Sequence, residues 1–169
     1  PGVLFVVNGN SSKQALFDDW TAAHKFSHLL TPYTPHERWL SEGFGSYHQN
    51  ITRLRSGLLD EKTAWSKLIA GFERGKKSAS KRSAPYLNRA GRNHNMQMYW
   101  GGAVIALKAD VALQQQTDGV MTLSKALSGL QGCCLGQGKS WAAKSLFKKL
   151  DNITDTDVFT QLYDQEVKR

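Results

Sequence analysis

TPHERWLSEGFGSYHQNITRLR, residues 34–55, holds both a helix start and the first chemical signal in the chain. Thr34 stands as N-cap, Pro35 at the first helical position and Glu37 at the third, a capping box with the favoured proline. The helix it opens is expected to run to about Arg55, before Gly57. Inside it Glu42 sits amid Trp39, Leu40 and Phe44. A carboxylate half-buried among such neighbours needs a cation or a proton. For this helix alone, a glutamate on a solvated face is the plainer account.

Upstream, Lys13–Leu30 has apolar residues at Leu16, Trp20, Ala23, Phe26 and Leu30, close to helical spacing, and Thr31-Pro32 stops it. Gly2–Val7 is β-rich and ends at Asn8-Gly9-Asn10, which predicts a short N-terminal strand. Downstream, Asp60 caps a helix to about Phe72, and Met96–Gln116 is a long apolar helix closed by Asp118-Gly119. Thr122–Leu130, Ser140–Leu150 and Asp155–Val167 each open on a capping residue. The expectation is a mainly α fold in a single domain over residues 1–169.

Composition sets the bounds. Apolar residues make up 40% and charged residues 21% of the 169, a globular balance. No apolar run approaches the ~20 residues that span a bilayer, which excludes a transmembrane segment. The chain begins Pro1-Gly2 without methionine and so reads as a fragment or a mature form. Cys133 and Cys134 are adjacent. Neighbouring cysteines rarely pair, because disulfides favour Cα atoms about 5.5 Å apart, so no bridge is expected.

The net charge is +8, and its excess has one source. Between Arg74 and Lys108 lie eight basic residues and no acid. Much of that charge falls in a Gly/Ser-rich segment, residues 75–92, expected to be a basic loop. A solvated loop is the simplest account of it. The alternative is a non-enzymatic module that binds an anionic partner through residues 74–92. Tyr86 is the only aromatic residue of that loop, which argues against nucleic acid, where stacking platforms accompany the charge.

His24 and His28 stand at i and i+4 in AHKFSH, a spacing that brings two imidazoles to one metal. By itself the pair is a weak signal. Together with WLSEGFGSY (Trp39–Tyr47) and MYWGGA (Met98–Ala103), it resembles the gluzincin metallopeptidases. In those enzymes HExxH lies on one helix and a glutamate on the next. WLSEGFGSY is similar to the WLxEGFAxY segment of aminopeptidase N-like enzymes, and MYWGGA to their YxxGA segment. The glycyl aminopeptidase-like group, bacterial and exported, is the most similar. The likeness spans roughly residues 17–115.

That resemblance implies the helical subdomain of a thermolysin-like catalytic domain. It implies a zinc site of His24, His28 and Glu42, and Tyr99 as the oxyanion-stabilising tyrosine. Ser46 falls where a supporting group is sometimes placed. An exported or periplasmic location and a peptide or protein chain as partner come with it. Two departures alter the mechanism. Lys25 occupies the position of the glutamate base, and a lysine cannot serve as a carboxylate base. Thirteen residues separate His28 from Glu42, against about 18 in the aminopeptidases. The sequence therefore points to a catalytically degenerate domain, with zinc weakly held or absent from the purified protein. An active hydrolase using another base is the competing expectation, with Asp18, Asp19 and Glu37 as the nearby acids.

Overall fold

A computed structural model describes residues 3–79, 95–135, 138 and 140–168 of the chain. Helices dominate it: α1 (Lys13–Asp18), α2 (Thr21–Ser27), α3 (Arg38–Arg55), α4 (Glu61–Ser78), α5 (Asn95–Gln116), α6 (Leu123–Ser128), α7 (Ala143–Thr154) and α8 (Val158–Leu162). A 3₁₀ turn, His28–Leu30, extends α2, and a π turn, Tyr163–Val167, extends α8. No helix is long and apolar enough to cross a membrane among the described residues.

The centre is the α3–α5 pair. A Cβ added to Gly43 would fall on the backbone of Gly102, and one on Gly102 would fall on the Trp39 carbonyl. Only hydrogen at both positions lets the two backbones touch. Around that crossing Trp39, Leu40 and Phe44 of α3 meet Ala103, Ala106 and Leu113 of α5, all fully or almost fully buried. Phe147 of α7 stacks on Phe44, and Phe159 of α8 tilts against Phe147, so the C-terminal helices join the same core. Helix α4 packs on α5 through Trp100, whose ring occupies the space where Gly71 would carry a Cβ.

Five sequence expectations change. The capping box does not form: residues 35–36 make a turn and α3 begins at Arg38. Trp39 is fully buried and its indole N–H needs an acceptor, which the Glu37 carboxylate supplies at 2.7 Å. The Thr34 hydroxyl is left without a partner. Lys13–Leu30 is broken rather than continuous. Asp19 takes hydrogen bonds from the Thr21 amide (2.8 Å) and hydroxyl (2.7 Å), starting α2 afresh in the way aspartates open helices.

No strand forms among the described residues. Residues 3–7 run without a ladder, and Leu4 and Val6 are about nine-tenths exposed. A lone extended segment has nothing to pair with. Phe5 meets the Phe26 ring at 5.4 Å. Cys133 and Cys134 are joined in a disulfide with Cα atoms 3.7 Å apart, against the expectation from spacing. Both cysteine amides donate to the Leu130 carbonyl, a turn that folds the two side chains together. Of the expected 75–92 loop, Gly75–Ser78 belong to α4, and the rest lies outside the described residues apart from Ala79.

Candidate metal centre

His24 lies in α2 and His28 one turn on, in the 3₁₀ extension. Their rings meet edge-on, with centroids 4.9 Å apart. Helix α3 brings Glu42 to both: its Oε2 is 3.1 Å from His24 Nε2 and 3.7 Å from His28 Nε2. One ligand atom from each of the three residues lies within 4.8 Å of the others. The short connection from Thr31 to the start of α3 reaches across to the histidines. It is pinned by the Trp141 amide, which donates to the Tyr33 carbonyl at 2.8 Å.

The two spacings to Glu42 suit a small divalent ion. Bond lengths near 2.0 Å in a tetrahedral site put neighbouring ligand atoms about 3.3 Å apart, and the two contacts to Glu42 bracket that value. The hydrogen bonding agrees. His24 Nδ1 lies 2.9 Å from Gln49 Oε1, so with that amide oxygen accepting, Nδ1 carries the proton. Nε2 then faces a carboxylate oxygen, which only accepts. A proton shared between the two groups, or a metal ion, would fill that contact. A histidine whose second nitrogen is held by an acceptor is the usual arrangement in metal sites.

Burial pushes the Glu42 carboxyl up, but the His24 contact, the His28 charge and the Tyr99 hydroxyl together hold it below its usual range. Burial lowers His28. Glu42 opposes that shift, while His24 and Lys25 add to it. Both shifts favour the forms that bind metal, a carboxylate and a neutral imidazole. Tyr99, from the first turn of α5, stacks its ring on His24 with centroids 6.0 Å apart at 21°. Burial raises its hydroxyl, with further upward pushes from Glu42 and a downward one from Arg38.

Lys25 is exposed and lines an open cavity of about 770 Å³ together with His28, Glu42 and Arg38. Cys134 lies at the rim of the same cavity. The other acids near the start of the chain are engaged: Asp19 with Thr21, and Glu37 with the Trp39 indole. Ser46 is buried on a different cavity and is not at the triad. Sequence reasoning missed two residues. Gln49, seven positions after Glu42 on the same face of α3, orients His24. Arg38, four before it, stands at the mouth. Helical spacing from Glu42 would have found both.

Gly45 has a local task. A Cβ there would stand 3.0 Å from His24 Cε1, so the glycine clears room for the ring. No family model, curated protein or solved structure matches this chain.

Proposed function

We propose that this chain is the helical part of a gluzincin-like metallopeptidase domain that has lost its catalytic carboxylate. In this reading it retains a weak zinc site and a cleft for a peptide or protein chain. The observation that carries it is the convergence of His24, His28 and Glu42, with ligand atoms within 4.8 Å. A bound zinc would supply Lewis-acid polarisation of a carbonyl. The chain's own residues would hold the ion and orient it: Gln49 through His24, and Tyr99 against Glu42.

The missing step is proton transfer. Among the described residues lining the open cavity, Glu42 is the single carboxylate, and it is a ligand. Lys25 brings an ammonium to the place of the base. General base catalysis is typically worth about 10²–10⁴-fold, and an adjacent cation also opposes a second one.

The test is zinc content of the purified protein, zinc titration and a peptidase assay, each on the unmodified chain and on Lys25→Glu. Substoichiometric zinc, no hydrolysis, and tighter zinc in Lys25→Glu without comparable turnover are expected. Hydrolysis by the unmodified protein, lost in both His24→Ala and His28→Ala, would overturn the degenerate assignment. Stoichiometric zinc that survives mild chelation would show that Lys25 does not weaken the site.

A further inference from the structure

Behind His24, on the side away from Lys25, helices α3, α4 and the start of α5 enclose a second cavity of about 1050 Å³. That is at the upper end of the range for small-molecule pockets, ~300–1,000 Å³. Its α3 wall has an unusual make-up. Ser46, Gln49, Asn50 and Arg53 recur at i, i+3, i+4 and i+7, the spacing of a core-facing apolar stripe. All four are polar and at most 8% exposed.

Two of them are incompletely satisfied. Asn50 Nδ2 and Arg53 Nε have no hydrogen-bond partner. The Arg53 guanidinium is 3% exposed and donates through Nη2 to the Phe17 and Asp18 carbonyls, at 3.2 and 3.0 Å. Among the described residues no carboxylate forms an ion pair with it. Asp19 feels its charge, but takes hydrogen bonds from Thr21. Asp18 accepts from Gln14. A buried guanidinium without a counter-charge is costly, and a bound anion removes the cost.

The remaining walls supply a mixed lining. Met96, Tyr99 and Trp100 of α5 and Trp20 ahead of α2 present apolar and aromatic surface; Lys62, Lys67 and Arg74 of α4 add positive charge, and with Arg53 they outnumber the two lining carboxylates, Asp18 and Asp60. Arg74 is itself stacked over the Trp100 ring at 5.1 Å. Unpaired donors at the back and aromatic surface beside them fit a ligand with one anionic group and an apolar body.

We infer that this cavity binds a small organic acid, its carboxylate drawn to Arg53 and Asn50 and its apolar part set against Trp20, Met96 and Tyr99. The inference does not rest on the metal site. Gln49 and Tyr99 border both, but the charge that attracts the acid belongs to Arg53.

The probe is N-acetylphenylalanine, compared with its uncharged amide and with inorganic phosphate. Calorimetry and tryptophan fluorescence would be read on protein stripped of metal with phenanthroline and desalted. The acid should bind and shift the emission of Trp20 and Trp100. The amide should bind at least ~10-fold more weakly, since it loses a charge-assisted hydrogen bond. Arg53→Gln should abolish binding. Should that variant fail to fold, Met96→Asp, at a partly exposed position on the wall, should weaken the acid ~10-fold more than it weakens the amide. Equal binding of acid and amide, or no binding up to about 10 mM, a very weak affinity, would overturn the inference. Binding of phosphate alone would also overturn it, by assigning the charge to an inorganic anion. Loss of zinc binding elsewhere on the protein would leave these results as they are, so the two sites fail separately.

Discussion

Asp110 and Asp151, in the part of the molecule built from α5 to α8, are surrounded by donors, whereas Glu42 at the α2–α3 contact faces imidazoles. Asp110 accepts from the Tyr47 hydroxyl and the Leu123 amide, each at 2.6 Å. Asp151 accepts from the Phe159 and Thr160 amides at 2.8 and 2.9 Å, and from the Thr160 hydroxyl. Both carboxylates cap a following helix, α6 or α8, and tie it to the core. Their charge is answered by hydrogen bonds fixed in the backbone. Among the described residues Glu42 is met by side chains, the His24 and His28 ring nitrogens that a metal would use and the Tyr99 hydroxyl. A buried acid held by amides is architecture; one held by histidines is poised for a cation.

The largest expected effect tests the first half of that contrast. Asp110→Ala orphans a buried hydroxyl and a buried helix-start amide, at about 1–3 kcal/mol each. Denaturant unfolding should show a loss of about 4 kcal/mol. Zinc affinity per folded molecule should stay within about threefold, a fraction of a kcal/mol. A parallel collapse of zinc binding at full folding would show that the two regions are not separable.

Glu42→Gln tests the other half. The amide keeps the shape and a hydrogen bond but loses the charge, so zinc affinity should fall by at least ~100-fold, about 2.7 kcal/mol. Stability in the absence of metal should move by less than about 1 kcal/mol. Unfolding on the scale expected of Asp110→Ala would place Glu42 among the structural acids.

How legible this was in the sequence follows the same division. Helix content, the cap at Asp60 and the end of α5 at Asp118-Gly119 were readable, because side chain and backbone act there within a few residues. The coming-together of His24, His28 and Glu42 was expected from the resemblance of their motifs; i, i+4 spacing alone marked only the histidine pair. Most of what escaped was set by tertiary contacts. Glu37 left its capping role for an indole fixed by core packing. The break at Asp19 is local, made by bonds to Thr21 two residues on, and was hidden by the apolar period. The Arg53 stripe is polar throughout, so no apolar period marks it as a buried face. The Asp110 and Asp151 caps join elements that no local pattern links.

The third effect is pH-dependent and belongs to His48, beside the Asp110 cluster. Its Nδ1 bonds the Phe44 carbonyl at 3.0 Å, and Nε2 faces the Ser124 hydroxyl at 3.4 Å, itself bonded by Arg55 at 2.8 Å. Burial holds its pKa below the usual 6.5, with Arg55 adding to that and the Phe44 carbonyl and Asp110 opposing. The folded chain therefore refuses a proton that the unfolded chain takes up. Stability is full above pH 6.5 and is lost as pH falls from there toward the folded value. His28 shifts in the same direction, so the measurement is a difference. His48→Gln should flatten the decline between about pH 7 and pH 5 relative to the unmodified protein. An unchanged slope would mean that His48 takes up a proton in the fold without penalty.

The smallest effect bears on how tightly the two regions' rules meet at His24. Gly45 lies in mid-helix, where glycine costs roughly 1 kcal/mol relative to alanine. Gly45→Ala should gain that propensity. The new Cβ would stand 3.0 Å from Cε1 and 3.3 Å from Nδ1 and Nε2 of the His24 ring, closer than ordinary contact. The ring must give by a few tenths of an ångström, and Gln49 on its far nitrogen resists the turn. The two terms nearly cancel in stability, leaving a net change within about 0.5 kcal/mol. They do not cancel at the site, where a displaced Nε2 should weaken zinc ~3- to 10-fold, toward the low end of what lost ligand orientation costs. Thermal unfolding and zinc titration on the same variant separate the two. A variant with a full helix gain and undiminished zinc affinity would show that His24 has freedom to move, and that Glu42 alone positions the metal.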